Sequence, residues 1–161
     1  MKHIIIITLL IVTLSIAGCG QRGLKGLSKV SGTITLNGQP LEGATISFSP
    51  QTPDTRGAAA LSGAGGNFQV TTLHSNDGVQ PGEYLISVSK IESEGILPAA
   101  EVRRIGAKNY HPQRTQMVPE KYLKAETSDL KITVRKGRND KLILTLEGEA
   151  AGKLEEDGGN D

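Results

Sequence analysis

The chain has 161 residues, which is enough for one small domain with a short additional segment but too few for two full domains. Its formal net charge is +1, and this argues against a dedicated nucleic-acid-binding protein because neutralising phosphates takes a clear basic excess. Tryptophan is absent and aromatic residues make up 3% of the chain, so the core must be mostly aliphatic and few rings can stack on bases or sugars.

The first 18 residues have the pattern of an export signal. Lys2 precedes an apolar run that begins at Ile4 and is shorter than the roughly 20 residues of a membrane-spanning helix. The run ends in Leu14-Ser-Ile-Ala-Gly-Cys19, which resembles the bacterial lipobox, where aliphatic and small residues precede the cysteine that receives diacylglycerol. We therefore expect a lipoprotein signal peptide at residues 1–18 and lipid, with palmitate among its acyl chains, on Cys19.

Cys19 is also the only cysteine, so the chain can form no internal disulfide. Lipidation explains a lone thiol in an exported protein; the alternatives are an uncleaved membrane anchor or an ordinary secretory signal with an incidental cysteine. Residues 19–28 are then expected to form a lipidated tether. Gly20 stands where an aspartate often retains lipoproteins in the inner membrane, so this resemblance implies a lipid-anchored place in the cell envelope, at the outer membrane.

The stretch from Val30 to Phe48 has the pattern of a β-hairpin. Apolar and polar residues alternate up to Leu36 and again from Ala44, as expected for strands with one face in a core. Asn37-Gly38 lies between them and favours the positive φ angles of a tight turn. We predict two adjacent strands joined by this turn.

Strand patterns recur along the rest of the chain. They lie at residues 58–61, 67–72, 83–90, 130–135 and 142–147. The strand that contains Tyr84 is predicted to be central, and the last two strands are predicted to pair as a closing hairpin. About seven short strands with little helix predict an all-β fold, an Ig-like β-sandwich over residues 29–147.

Residues 91–129 form a long excursion from this pattern. Connections of this length in a small domain are usually functional or disordered, so variation in binding is expected here. Pro98 and Pro119 each precede a few residues with helical character. The glycine-rich and acidic residues 148–161 predict a disordered tail.

Several motifs together resemble a known family. They are the Val30–Ile46 stretch, Gly66-Asn-Phe68 and Pro81-Gly-Glu-Tyr84. They resemble the carboxypeptidase regulatory-like domains, which share a transthyretin-like β-sandwich. The chain is also similar to short predicted lipoproteins of Planctomycetes, which carry a segment like Val118–Tyr122, then Thr-Ser, and a final x-G-x-N turn like that at Asn139. The resemblance implies a sandwich in the envelope with a binding or structural duty.

No catalytic motif is evident in the sequence. A serine hydrolase elbow is absent, and the sole cysteine is assigned to lipid. His74 with Asp77, and His111 with Glu101 and Glu120, lack the spacing of known metal sites. We expect no enzyme activity, metal or cofactor. Crosslinking of Lys29 to Asn139, as in some adhesin sandwiches, stays open.

The three tyrosines differ in their expected roles. Tyr84 falls on the apolar face of a strand and is predicted to lie in the core. Tyr110 and Tyr122 lie in the excursion near Arg103, Arg104 and other basic residues, and these four are the candidate partner-binding residues. The alternative is a solvated charged surface.

These features predict a non-enzymatic, lipid-anchored module of the cell envelope. Its partners are expected to be the membrane, through the lipid on Cys19, and an envelope protein or polysaccharide, with no nucleic acid. The alternatives are a structural subunit of an envelope assembly or, with least support, an enzyme of unrecognised type, which would need a concave cluster of titratable residues.

Overall fold

The computed structural model describes residue 24 and residues 26–154. The predicted signal peptide at 1–18, the lipidation site Cys19, most of the predicted tether and the last seven residues of the predicted tail lie outside the described residues. Ser28, assigned to the end of the tether, is already part of the fold, since it is buried and forms a β-bridge with Val79.

The described chain is built mainly from short strands. These are β1 (Lys29–Leu36), β2 (Gln39–Pro40), β3 (Thr45–Pro50), β4 (Ala58–Leu61), β5 (Asn67–Gln69), β6 (Gly82–Ser89), β7 (Ile91–Glu94), β8 (Gln113–Gln116), β9 (Lys131–Val134), β10 (Arg138–Leu146) and β11 (Gly152–Lys153). One α-helix, α1, spans Ala99–Ile105, and 3-10 helices span Ala64–Gly66, Ala107–Asn109 and Glu120–Tyr122. The all-β prediction is confirmed, although the described strands number eleven rather than about seven.

Two sheets pack face to face to form the sandwich. The first has the order β10-β1-β2, with β5 also paired to β1, and the second has the order β4-β3-β6-β9. One core cluster joins their inner faces, including Val30, Ile34, Phe68, Leu144 and Leu146 from the first and Ile46, Phe48, Tyr84, Ile86, Val88 and Val134 from the second. β6 lies between β3 and β9, so the Tyr84 strand is central, as predicted. The Tyr84 ring is fully buried and packs edge-on against Phe48, with centroids 6.2 Å apart.

The predicted opening hairpin is wrong. The turn at Asn37-Gly38 forms, with φ angles of 51° and 77°, but it leads only to the two-residue strand β2. The chain then crosses to the other sheet, where β3 pairs with β4 and β6. Buried Ser62 fixes this crossing, because its hydroxyl accepts the Ala44 N–H at 2.9 Å and donates to the Leu41 carbonyl at 2.7 Å. The apolar alternation was compatible with either arrangement, since β1 and β3 both turn one face to the same core.

The predicted closing hairpin is also wrong. β9 pairs antiparallel with β6, whereas β10 pairs parallel with β1, over the register from Lys29 opposite Arg138 to Leu36 opposite Leu146. A bulge at Asp140 and Lys141 interrupts this register, and Lys141 has a φ of 67°. The parallel pairing places the first and last long strands of the domain side by side.

The excursion is ordered and adds a third sheet. β7 and β8 form an antiparallel pair, and β11 adds to β8, giving the order β11-β8-β7. The helical predictions at 98–105 and 119–123 are confirmed by α1 and the 3-10 helix at Glu120–Tyr122. β11 lies within the predicted disordered tail, so residues 152–153 depart from that prediction because they complete the sheet edge at β8.

Candidate functional site

The third sheet and α1 form a unit that we call the distal arm, residues 91–116 and 152–154. Its place follows from the strand directions. β1 and β10 start together at one end of the sandwich, and Gly82 at the start of β6 lies opposite Val134, just before the turn to β10. β6 then runs for eight residues, roughly 23 Å, before the chain enters β7. The distal arm therefore lies at the end of the sandwich opposite the start of β1.

Buried Gln116 connects the distal arm to the sandwich. Its side-chain Oε1 accepts the N–H of Lys90 at 2.9 Å, and the Met117 N–H donates to the Lys90 carbonyl at 2.8 Å. Gln116 is also the register partner of Ile91 on one side and Gly152 on the other. These bonds fix the base of the arm at the end of the central strand β6.

Tyr110 organises the distal arm from within. Its ring is half-buried, and its hydroxyl accepts the backbone N–H of Leu97 at 3.1 Å. Pro98, the N-cap of α1, directly follows Leu97, and Asn109 donates from its side chain to the Ile105 carbonyl at the end of α1. The hydroxyl of Tyr110 thus holds the turn before α1 in place, and part of the Tyr110 side chain stays exposed.

Arg103 and Arg104 lie on exposed positions of α1. Arg104 binds the carboxylate of Glu101 through Nε at 3.0 Å, and this hydrogen bonding lowers the pKa of Glu101 and raises that of Arg104. Arg103 donates to the Ala99 carbonyl at 3.3 Å and has no carboxylate within ion-pair distance in the described part of the chain. Arg103 therefore presents the less compensated charge on this surface.

Exposed apolar side chains concentrate on the distal arm. Ile96 is 69% exposed, and Ile91, Leu97 and Leu154 are between 38% and 43% exposed. The Leu154 N–H donates to the Arg114 carbonyl, which extends the β11–β8 register, and Ile91 is two positions from the residue that pairs with Arg114. Since paired residues share a face, Ile91 and Leu154 point to the same side of the sheet. This apolar set was missed from the sequence because the excursion showed no strand alternation.

Tyr122 is a correction to the predicted site. It is 4% exposed and belongs to the core cluster, and its hydroxyl accepts the Glu147 N–H at 3.0 Å. Lys121 lies over its outer face, with Nζ 4.6 Å from the ring centroid. Its ring closes the core beneath the end of β10, so Tyr122 cannot serve as a contact residue without unfolding.

The His74–Asp77 turn holds itself together with backbone bonds. The Asp77 carboxylate accepts the N–H groups of Thr72 at 2.7 Å, Leu73 at 3.0 Å and His74 at 2.9 Å. Burial opposes ionisation of this carboxylate, but the three hydrogen bonds and the nearby His74 outweigh it and lower the pKa of Asp77. The oxygens that a cation would need are thus already engaged with backbone donors.

Within residue 24 and residues 26–154, no group of three or more His, Cys, Asp or Glu side chains is arranged to hold a metal ion. Over the same part of the chain, no helix is both long enough and apolar enough to cross a bilayer.

Lys29 and Asn139 have separate partners, since the Lys29 ammonium donates to the Asn76 carbonyl and the Asn139 amide bonds the backbone of Arg135.

Comparison with protein-family models, with curated proteins and with solved structures finds no match to this chain.

Proposed function

We propose that this protein is a non-enzymatic, lipid-anchored β-sandwich of the bacterial cell envelope that binds a protein or polysaccharide through its distal arm. Within this proposal the chain belongs with the carboxypeptidase regulatory-like lipoproteins that its motifs resemble. The lipid on Cys19 holds it at the outer membrane, and the sandwich carries the arm.

The observation that carries the proposal is the exposed apolar set of the distal arm. Ile96 and Leu97 lie in the turn before α1, and Leu154 follows β11, all outside the core cluster. Several apolar side chains that stay exposed on one ordered unit are typical of interaction surfaces. Arg103 and the partly exposed ring of Tyr110 add the residue types that are enriched at such contacts.

The position of the arm supports the same reading. The first strand begins ten residues after Cys19, so a lipid on Cys19 would keep that end of the domain near the membrane. A partner in the periplasm or on a glycan layer must be reached from a domain held in this way. The arm occupies the end of the sandwich away from that strand, so a membrane anchor at Cys19 leaves it accessible.

Capture from crosslinked envelopes of the producing bacterium tests the binding role. We expect the wild-type protein to retain an envelope protein, or to be retained on a purified envelope polysaccharide, and Ile96→Asp to reduce that retention about tenfold or more, since hot-spot residues contribute at least ~1.4 kcal/mol. Leu61→Asp is the matched control, because Leu61 is 68% exposed on β4. Equal capture by both variants, or no capture by the wild type, would overturn the proposal. A partner held in fixed stoichiometry would instead favour a structural subunit.

Labelling of growing cells with an alkyne analogue of palmitate tests the anchor. We expect the wild-type protein to take up the label and Cys19→Ala to lose it, because Cys19 is the only thiol in the chain. Label on the Cys19→Ala variant, or none on the wild type, would refute lipid anchoring while leaving the distal arm to be judged by the capture experiment.

A further inference from the structure

Five cationic residues gather at the end of the sandwich where β1 starts. We call this surface the basic end, and its members are Lys29, Arg135, Lys136, Arg138 and Lys141. All five are exposed, and they line two adjoining grooves beside β1 and β10. Asp140 is the carboxylate that lines the same two grooves. The cations at this end therefore outnumber the carboxylates, although the whole chain has a net charge of only +1.

The basic end is held rigidly against the first residues of the domain. The Gly137 N–H donates to the hydroxyl of buried Ser28 at 3.1 Å. The Asn139 side chain closes the turn, with Oδ1 accepting the Arg135 N–H at 2.9 Å and Nδ2 donating to the Arg135 carbonyl at 2.7 Å. The turn between β9 and β10 is thereby fixed beside the point where the chain enters the fold.

Asp140 compensates only part of this charge. Its carboxylate binds Arg138 at 3.0 Å and accepts the Ser31 hydroxyl at 3.1 Å, and these bonds lower the pKa of Asp140. In the part of the chain that the structure describes, Arg135, Lys136 and Lys141 have no carboxylate within ion-pair distance. Among the described residues, Arg135 and Lys136 thus remain without a paired carboxylate, and Lys141 has only a longer-range attraction to Asp140.

An apolar side chain lies beside one of these cations, Lys141. Ile143 is 70% exposed and lines, with Lys141, Ser31 and Gln69, a shallow groove of about 590 Å³ on the outer face of β1 and β10. A basic surface with a protruding aliphatic side chain has the composition of a surface that rests on lipid headgroups, where cations meet phosphates and the apolar group reaches the acyl boundary.

We propose that the basic end docks on the anionic headgroups of the bilayer to which the protein is anchored. This inference rests on the proposed function, because the proposed lipid on Cys19 is what would keep the basic end close to a bilayer. Lys29 is the tenth residue after Cys19, so a lipid on Cys19 would hold the basic end within about 35 Å of the bilayer even if the connection were fully extended. Each lysine or arginine near an anionic leaflet strengthens attraction about fivefold.

The same proximity favours lipid over an acidic polysaccharide as the occupant. A tethered surface meets the headgroups at high effective concentration, whereas a soluble polyanion has no such advantage. Docking in this orientation also directs the distal arm away from the membrane. The lipid on Cys19 would hold the protein at the membrane, and the basic end would set the orientation of the sandwich on the bilayer.

A single introduced tryptophan tests the docking, because the chain has none of its own. The full-length protein extracted from membranes is reconstituted in phosphatidylcholine vesicles, with or without phosphatidylglycerol, that contain a headgroup spin-labelled lipid as quencher. We expect the Ile143→Trp reporter to be quenched severalfold more in the vesicles with phosphatidylglycerol. A reporter at Ile96→Trp, on the distal arm, should be quenched equally little in both.

Charge variants give the second readout. Neutralising Arg135, Lys136 and Lys141 to glutamine should weaken headgroup docking by up to about 100-fold, the product of three fivefold effects, and remove the extra quenching. The matched control neutralises Lys108, Lys124 and Lys153, which are also exposed, and should leave it unchanged. Raising the salt to 1 M should also abolish the extra quenching, since the Debye length falls from about 8 Å to about 3 Å.

Three outcomes would overturn the proposal. These are quenching that does not depend on phosphatidylglycerol, equal loss in the two triple variants, and a reporter that responds to a soluble acidic polysaccharide but not to anionic vesicles. The fatty-acid labelling separates the two ideas. A labelled protein without headgroup quenching refutes only the docking, whereas an unlabelled protein with charge-dependent quenching refutes only the lipid anchor.

Discussion

Tyr122 contributes to the fold through both parts of its side chain. Its ring lies in the core cluster at 4% exposure, and its hydroxyl accepts the Glu147 N–H at 3.0 Å just after β10 ends. A tyrosine in an irregular segment beside lysines has the same sequence appearance whether it faces solvent or core. Only the path of residues 118–130 across the end of the sandwich places this ring inside.

Substitutions of Tyr122 separate the two contributions. We expect Tyr122→Phe to lower the free energy of unfolding by about 1 kcal/mol, because one hydrogen bond is lost without a cavity. Tyr122→Ala should lower it by about 3–5 kcal/mol, because a large buried ring is removed. Urea denaturation measures both values. A Tyr122→Ala protein as stable as the wild type would contradict the buried placement.

Asp77 makes the stability of the His74–Asp77 turn dependent on pH. Its pKa in the folded protein is lowered, so its stabilising effect is complete above the ordinary aspartate value of about 3.9 and is lost as the pH falls through the lower folded value. We expect wild type and Asp77→Asn to differ in stability near neutral pH and to converge below about pH 4. Chemical denaturation across this range measures the difference, and a constant gap between the two proteins would contradict the assignment.

At the scale of elements, a close approach of two backbones permits the pairing of β1 with β10. A Cβ atom on Gly32 would lie 2.0 Å from the carbonyl oxygen of Leu142, which is closer than real atoms can come. Gly32 adjoins the bulge at Asp140 and Lys141, where the register between β1 and β10 shifts. A glycine within a strand pattern is compatible with such an approach, but the pattern does not identify the strand that makes it.

Gly32→Ala should therefore destabilise the protein strongly. We expect a loss of about 3 kcal/mol in the free energy of unfolding, since the partner atom is backbone and β10 must move. Gly63→Ala is the control, because its Cβ would meet its nearest neighbour at 3.8 Å with an ordinary φ of −100°. This control should stay within about 1 kcal/mol of the wild type. Equal thermal midpoints for the two variants would argue against the close contact.

At the scale of the whole molecule, the parallel pairing of β1 with β10 places the first and the last long strand of the domain side by side. β9 and β10 are adjacent in the chain yet lie in different sheets, and the turn between them crosses the core at the end where β1 starts. This crossing brings the basic end beside Ser28, and it sends β6 toward the distal arm at the other end. The positions of both proposed surfaces depend on it.

Disulfide formation can distinguish this topology from a closing hairpin. Thr35 and Thr145 are register partners across β1 and β10, and neighbouring strands lie about 4.8 Å apart, within the span of a disulfide. We expect Thr35→Cys with Thr145→Cys, in a Cys19→Ser background, to crosslink on mild oxidation. Lys131→Cys with Thr145→Cys would face each other only in a hairpin of β9 and β10, and should not crosslink. Mass spectrometry of free thiols reads the result, and the reverse pattern would refute the parallel pairing.

Strand positions and core residues follow largely from local pattern. Tyr84, Ile86 and Val88 alternate toward one side, and a strand with one apolar face must bury it wherever its neighbours lie. The helical turns after Pro98 and Pro119 likewise depend on residues close in sequence. These features could be predicted because each is a property of a few consecutive side chains.

Strand partners and site positions depend on contacts between residues far apart in sequence. The alternation in β1 is satisfied equally by β3 or β10 as neighbour, and the choice rests on a crossing held by Ser62 and a backbone contact at Gly32. The cations between β9 and β10 had the pattern of an ordinary turn, and Ile96 that of a loop. The cations and Ile96 form the two proposed surfaces only because they lie at opposite ends of the sandwich. Those positions are set by strand pairing between residues far apart in sequence, not by local pattern.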